Sequence, residues 1–421
     1  MFSALRRRNF ALLWLGQLVS LSGDWLLIVA LPFYVYQLTG SILQTGVMLM
    51  AEMLPRVLLG SVAGVFVDRW NRRWTMILSD LLRSGFLLLL LFVHSRDLLW
   101  LIYIVTILQA IISQFFTPAA DAIIPSLVDE QELVAANSLS SFSEAITRFI
   151  GPPLGGILLV SLGLFGVVLG DSATFLFSAL TILLISLPAR AMEDNARAAS
   201  PGAAIVNVWR EWLDGLRLIR KDQVISGVFA TMAILMLSQG IINVLLVVFT
   251  KEVMHGSALV YSWLITAQGV GSLIGALLVG TVSKFVRPVY LIVLPLAFAG
   301  CATLIIFNLP LVALALPLLA FVGIFVVGFV VMVQTLLQRG TADSYRGRVF
   351  GALYTTISLL TLAGMIFAST LGDRLGVVPL LNVAGGLFFV AALVALVMLR
   401  HASLQSGELE KVDPPFEAAQ S

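Results

Sequence analysis

Acidic and basic side chains stand inside long apolar runs at Asp24, Glu52, Arg56, Asp80, Arg83, Glu144, Arg148 and Asp171. In a low-dielectric setting such groups are costly, so they pair with one another, carry a proton or serve a ligand. Glu52 and Arg56 are four residues apart, and so are Glu144 and Arg148. That spacing puts each pair on one helix face, where the two charges can neutralise each other. Asp80 and Arg83 read as a structural pair. Asp24 and Asp171 have no cation one helical turn away, which makes them the better proton carriers. Asp24 comes first, because it lies roughly 20 Å into its run at 1.5 Å per residue. The polar groups of span 4, Gln109 and Gln114, and those of the second half, Gln239, Asn243, Gln268 and Gln334, are neutral.

A second cluster is "GVFVDRWNRR", residues 64–73, wedged between two apolar runs. Arg69, Arg72 and Arg73 are the positive charges expected in a short loop on the inner side of a membrane. Asp68 is harder to place. In the last turn of its helix it faces the negative end of the macrodipole, so it should seek an arginine or another helix's N-terminus. Such a contact would be an ionic latch that breaks when the inner side opens.

The elements carrying these groups follow from composition. The chain of 421 residues is 59% hydrophobic and 11% charged, with a mean hydropathy of +1.02. A soluble fold of this size could not cover that much apolar surface. Twenty apolar residues or so cross a bilayer. By that measure about twelve spans follow, at 10–36, 42–67, 74–94, 98–124, 137–162, 165–188, 224–250, 258–283, 289–307, 309–336, 347–371 and 376–399. The apolar stretch after "MFSALRRRNF" is too long for a cleaved signal peptide and reads as a retained first span. Loop cations crowd one side, among them Arg6, Arg7, Arg8, Arg190, Arg210, Arg217 and Lys221, against Arg96, Lys251 and Arg374 on the other. Both termini are therefore expected in the cytoplasm, in a cell membrane of bacterial inner-membrane type.

Other chemistries find no support. Cys301 is the lone cysteine, and His94, His255 and His401 have no second ligand at metal spacing. No GxxxxGK[ST] loop and no nucleophile with a base occur, so neither an ATP-driven pump nor an enzyme is expected. The net charge of +2 is scattered through loops and does not suggest nucleic acid. No cofactor and no metal is expected, and the chain is expected to be a monomer in the lipid bilayer.

The long interior break divides the chain into residues 1–188, a cytoplasmic linker 189–222, a second half 223–400 and a tail 401–421. Within the linker, Trp209, Trp212, Leu213, Leu216 and Ile219 share one helical face, as in a helix lying on the membrane surface. The halves also repeat weakly. "LLGSVAGVFVDRWNRR" has a counterpart in "LIGALLVGTVSKFVRP", with Gly64 matching Gly280 and Asp68 matching Lys284. Repeated halves around a midplane site are a transporter's signature.

Gly64, Asp68, Arg69, Arg72 and Arg73 together resemble the loop 2–3 signature of the major facilitator superfamily. "GPPLGG", residues 151–156, is similar to the motif that its proton-driven exporters carry on span 5. "GDWLLIVALPFYVYQLTGS" and "FFTPAADAIIPSLVDEQELVAANSL" resemble the branch with the enterobactin exporter and macrolide efflux proteins. The resemblance covers the chain to about residue 400 and implies an all-α fold of twelve transmembrane helices in two six-helix halves. It implies that spans 1, 4, 7 and 10 line a cavity. Trp25, Arg56, Gln109, Arg148, Gln239, Asn243 and Gln334 are the candidates for contacting a small-molecule substrate there, and Phe115, Phe116, Met232 and Met236 could add apolar surface. Span 4 lacks the arginine many drug antiporters of the superfamily carry, so their proton relay does not transfer intact. Asp24, Glu52, Asp171 and Glu144 are the proton-coupling candidates. Gly151, Pro152, Pro153, Gly155 and Gly156 read as a packing hinge against Gly269, Gly271 and Gly275 of span 8. The expected activity is export of a small amphipathic organic compound in exchange for protons. Proton-coupled uptake, lipid handling and a receptor role are the alternatives.

Overall fold

The computed structural model describes residues 2–67, 69–186, 222–282, 285–287, 289–341 and 343–399. Long helices fill it: α1 (Arg8–Thr39), α2 (Ile42–Val67), α3 (Arg72–Leu88) and α4 (Leu99–Ile123) come first. A helical run Leu133–Leu183 follows, then α7 (Gln223–Val248), α8 (Ala258–Val282), α9 (Tyr290–Asn308), α10 (Val312–Gly340), α11 (Asp343–Leu375) and α12 (Val377–Leu399). Among the described residues, 11 helices are long and apolar enough to cross a membrane. The run Leu133–Leu183 supplies two crossings. Its 51 residues would reach about 76 Å at 1.5 Å per residue, more than twice a bilayer's apolar core. It turns at Gly163, where φ is 66° and ψ is −163°, a conformation open essentially to glycine alone. Residues 133–162 are called α5 here and 164–183 α6, which brings the crossings to twelve. The fold is an all-α membrane fold.

Local chemistry sets the remaining ends. Gly40 closes α1 in the left-handed region and donates its N–H to Tyr36 O at 2.8 Å, a helix stop that glycine takes without a Cβ penalty. Asn71 caps α3 by accepting from Trp74 N at 3.1 Å. Arg72 Nη1 donates to Ala122 O at 2.9 Å, and Arg73 donates to Ile182 O and Leu183 O at 3.2 and 2.6 Å. These arginines therefore do more than bias topology. They satisfy the carbonyls left open where α4 and α6 end.

The helices pack so that one end of the bundle carries the start of α1 and the end of α12. At the other, far end a single apolar core joins both sets of six helices, from Leu26–Tyr36 of α1 through Ile241–Val248 of α7 to Met365 of α11. At the terminal end there are two separate cores. One gathers Phe10, Met76, Phe116, Ile123 and Leu139 of the first six helices; the other gathers Val228, Ile292, Met332, Val349 and Ala395 of the last six. The bundle is thus sealed at its far end and split at its terminal end. Residues 189–221 of the linker, the tail, Asp68 and Lys284 lie outside the described residues, so the surface helix and the latch partner do too.

Candidate functional site

A cavity of about 630 Å³ lies between the two sets of helices. Glu52, Met53 and Arg56 of α2 line it from one side; Gln239, Asn243, Tyr261, Gln268, Thr303, Ser358 and Thr361 line it from the other. A side chamber of about 240 Å³ opens among α1–α4, lined by Asp24, Trp25, Arg83, Thr106 and Gln109. Ile28, Glu52 and Arg56 border both spaces. Arg56 Nη2 donates to Glu52 Oε1 at 2.9 Å. This is the i, i+4 pair the spacing requires, and it stands at the junction.

Two pairings differ from those the sequence suggests. Arg83 does not pair with Asp80. Its Nη2 donates to Asp24 Oδ1, and its Nε donates to Gln109 Oε1 at 2.9 Å. Gln109 Nε2 returns a bond to Arg83 O at 2.7 Å, and the guanidinium lies 4.0 Å from the Phe175 ring centroid. Asp24 therefore has a cation after all, from a helix 59 residues along the chain. Glu144 and Arg148 form no ion pair among the described residues. Both are exposed, and Arg148 instead lies over the Trp25 ring at 6.0 Å.

Asp80 and Asp171 are fully buried. Neither oxygen of Asp80 has a geometrically complete hydrogen bond, and the Ser178 hydroxyl stands beside it as a donor. Asp171 Oδ1 accepts from Thr174 at 3.1 Å, while its Oδ2 has no partner. Gly23, the residue before Asp24, lets α1 close onto this carboxylate, since a Cβ there would collide with Asp171 Oδ1 and Thr174 Oγ1.

Of the other candidates, Gln239 Nε2 donates to Asn243 Oδ1 at 2.9 Å, and both face the central cavity. Gln109 is committed to Arg83, and Gln114 Nε2 bonds its own helix at Ala110 O, 3.3 Å away. Gln334 is exposed and lies outside the lining of both spaces. Phe116 and Met232 are core residues, and Met236 packs against the core. Phe115 stacks on Trp70 with centroids 5.6 Å apart. None of these four lines either space.

The "GPPLGG" run touches different partners than expected. Gly151 abuts Trp25 and Gly155 abuts the Leu26 backbone, both on α1. Gly156 meets Leu259 and Ser262 on α8, and a Cβ at Gly269 of α8 would lie 3.7 Å from Arg148 O. Gly271 and Gly275 instead pack against Ala320 and Ile324 of α10. Only part of the small-residue face joins α5 to α8. Gly64 is in α2 and Arg69 in the following turn, exposed.

Sequence reasoning missed the Arg83 hub and the neutral hydroxyls of Tyr261, Thr303, Ser358 and Thr361. An inter-helix partner leaves no mark in local spacing, and a single hydroxyl in an apolar run has no periodicity of its own.

The chain is similar to macrolide efflux protein A of Streptococcus pyogenes, with 25% identity over 92% of this chain and 95% of that one. It is also similar to the multidrug efflux pump Tap of Mycolicibacterium fortuitum (26%, covering 88% and 91%) and the staphyloferrin A transporter of Staphylococcus aureus (22%, covering 86% and 89%). Among solved structures, a bacterial homologue of the iron transporter ferroportin in an inward-facing state matches with a TM-score of 0.73 at 17% identity, over 93% of this chain and 98% of that one. A bacterial metal transporter matches with a TM-score of 0.66 at 20% identity, over 93% and 98%. The profile of the Major Facilitator Superfamily matches residues 13–359 and 228–419. Twelve crossings, a cavity between two sets of six and that match agree: the chain is a multi-pass membrane transporter of the major facilitator superfamily.

Proposed function

We propose that this transporter exports a small amphipathic organic compound in exchange for protons, with Asp24 as the coupling carboxylate. The observation that carries the reading is the position of Asp24, in the wall of a chamber that shares Glu52 and Arg56 with the central cavity. A proton taken up there changes the charge next to the substrate space. The cavity suits an amphipathic molecule: apolar side chains from both halves surround it, with amides and hydroxyls on one side and a single ion pair on the other. The named efflux relatives support export, and the staphyloferrin A transporter keeps a siderophore within the substrate class.

With the termini in the cytoplasm, as the loop cations imply, the split end faces inward and the cavity is poised to load from the cytoplasm. The halves 1–188 and 223–400 would rock about it, joined by the 189–222 linker, with Asp68 latching the inner side in the opposite state.

Protonation of Asp24 outside and release inside would drive opposed movement of substrate. Asp24→Asn fixes the uncharged form. In proteoliposomes with an internal pH dye and a panel of macrolides, lipophilic cations and siderophores, the wild type should release protons on substrate addition. Asp24→Asn should lose that release while keeping substrate-dependent stabilisation. Normal proton release by Asp24→Asn would refute the assignment.

A further inference from the structure

One proton-carrying carboxylate does not account for Asp80 and Asp171, both 0% exposed and together holding three oxygens without a hydrogen-bond partner. Buried acceptors left open in a folded protein call for a physical reason. Asp80 lies one turn before Arg83 on α3, within reach of the same guanidinium. Asp171 lies on α6, the helix whose Phe175 ring the guanidinium covers at 4.0 Å. Arg83 thus pairs with Asp24 while two further carboxylates, with three open oxygens between them, lie within its electrostatic reach.

We propose that Arg83 is a movable counter-ion: it holds Asp24 in the state seen here and turns to Asp80 and Asp171 when Asp24 is protonated. The proposal deepens the reading of Asp24 as a proton carrier and rests on it, though not on the direction of substrate movement. Geometry supplies a pivot. Gln109 holds Nε at 2.9 Å while Nη2 reaches Asp24, so rotation about the Nε contact can redirect the terminal nitrogens without releasing α4. The Phe175 face gives the guanidinium a surface to slide on. The proton adds to an Asp24 carboxylate oxygen from the side chamber and leaves from the same atom; the guanidinium goes to whichever of Asp80 and Asp171 is ionised, and neither of these gains or loses a proton. The charged and titratable groups facing Arg83 are Asp24 from α1, Asp80 from α3 and Asp171 from α6. Glu52 and Arg56 of α2 stand across the side chamber, and α4 contributes only the neutral Gln109.

The swing has a structural consequence. Gly23 brings α1 against Asp171 and Thr174, so a guanidinium arriving at Asp171 acts on the α1–α6 contact beside Asp24. Arg83 is a positioning residue in this scheme, since it acts through the carboxylates.

The test uses the purified full-length protein in detergent, melted from about pH 8 down to about pH 3.5, a range that ends below the ordinary aspartate value. Asp24→Asn should melt close to the wild type, because Arg83 then has Asp80 and Asp171. Asp80→Asn/Asp171→Asn should match the wild type at the alkaline end and lose about 5 °C or more on acidification, when protonated Asp24 strands the guanidinium. The triple variant should melt low at every pH, and adding Arg83→Gln should restore it by removing the stranded cation. If the double variant does not fold, the single variants carry the same comparison with smaller shifts. Parallel pH profiles for wild type and the double variant would overturn the proposal. So would an Asp24→Asn protein as unstable as the triple variant, or a triple variant that Arg83→Gln does not rescue. No substrate is involved. The melting profile without coupled transport would count against the antiport reading alone, and coupled transport without the profile would count against the swing alone.

Discussion

Glu52 and Asp24 are carboxylates of one side chamber, yet their arginines bind them under opposite conditions. The two carboxylates are alike, 26% exposed at Glu52 and 29% at Asp24. The Arg56 side chain is 56% exposed and that of Arg83 only 9%, so water competes for the Glu52 pair mainly through its arginine. Exposed pairs of the first kind contribute about 0–1 kcal/mol; removing one partner of a buried pair costs far more unless another counter-ion is at hand. Glu52→Gln should therefore change stability by no more than about 1 kcal/mol in thermal melts. It borders both spaces, on the proposed path of the substrate, so the variant should alter apparent substrate affinity and leave the proton count per substrate unchanged. Substrate-titrated proton release measures both, and a changed count would move coupling onto α2. The two pairs also show what the sequence makes visible. Residues 52 and 56 announce their contact, because four positions along a helix is one turn. Residues 24 and 83 do not, because their contact is created only when α1 and α3 pack. The same limit made Asp80 look like Arg83's partner.

At the scale of elements, the apolar runs locate all the helices to within a few residues, since bilayer thickness sets their length. What they do not disclose is which helix a glycine serves. Gly151 and Gly155 were candidates for the α5–α8 contact, but the bundle turns them toward α1. Close approach between helices depends on rotation about each axis, which hydropathy around the whole circumference of a buried helix does not record. Gly163 is a cleaner case. Nothing lies within 4 Å of the position its Cβ would occupy, so any cost of substitution there comes from the backbone alone. Gly163→Ala should destabilise by about 1–3 kcal/mol. Gly163→Asn should do no better, because asparagine tolerates the left-handed helical region but not a ψ of −163°. A lowered melting temperature for both, with insertion intact, is the expected result. Full stability of either would mean that α5 and α6 can join through another backbone path.

The whole molecule is asymmetric between its two ends, and that asymmetry decides what each side of the membrane can reach. At the far end Lys251 lies 5.8 Å from the Phe33 ring, Phe33 lies 6.4 Å from Tyr261, and Gly372 sits against Ile42, all bridging the two sets of helices. At the terminal end the cores are independent, so separating the halves there exposes cavity wall without tearing a core apart. Such an arrangement pivots about the end that is sealed. Cysteine labelling reads both the orientation and the state. Cys301 is exposed and must first be replaced, by Cys301→Ser. In that background Ser257→Cys, exposed in the loop before α8, should react with an impermeant maleimide added outside intact cells. Ser358→Cys, in the cavity wall on α11, should react in inside-out vesicles and stay protected in intact cells. Substrate and an imposed proton gradient should then slow the reaction at 358 and leave that at 257 unchanged, because closure at the terminal end hides the cavity while the far loop stays in solvent. Labelling at 257 only after permeabilisation would invert the topology. Labelling at 358 from outside the resting cell would place the open end on the other face of the membrane.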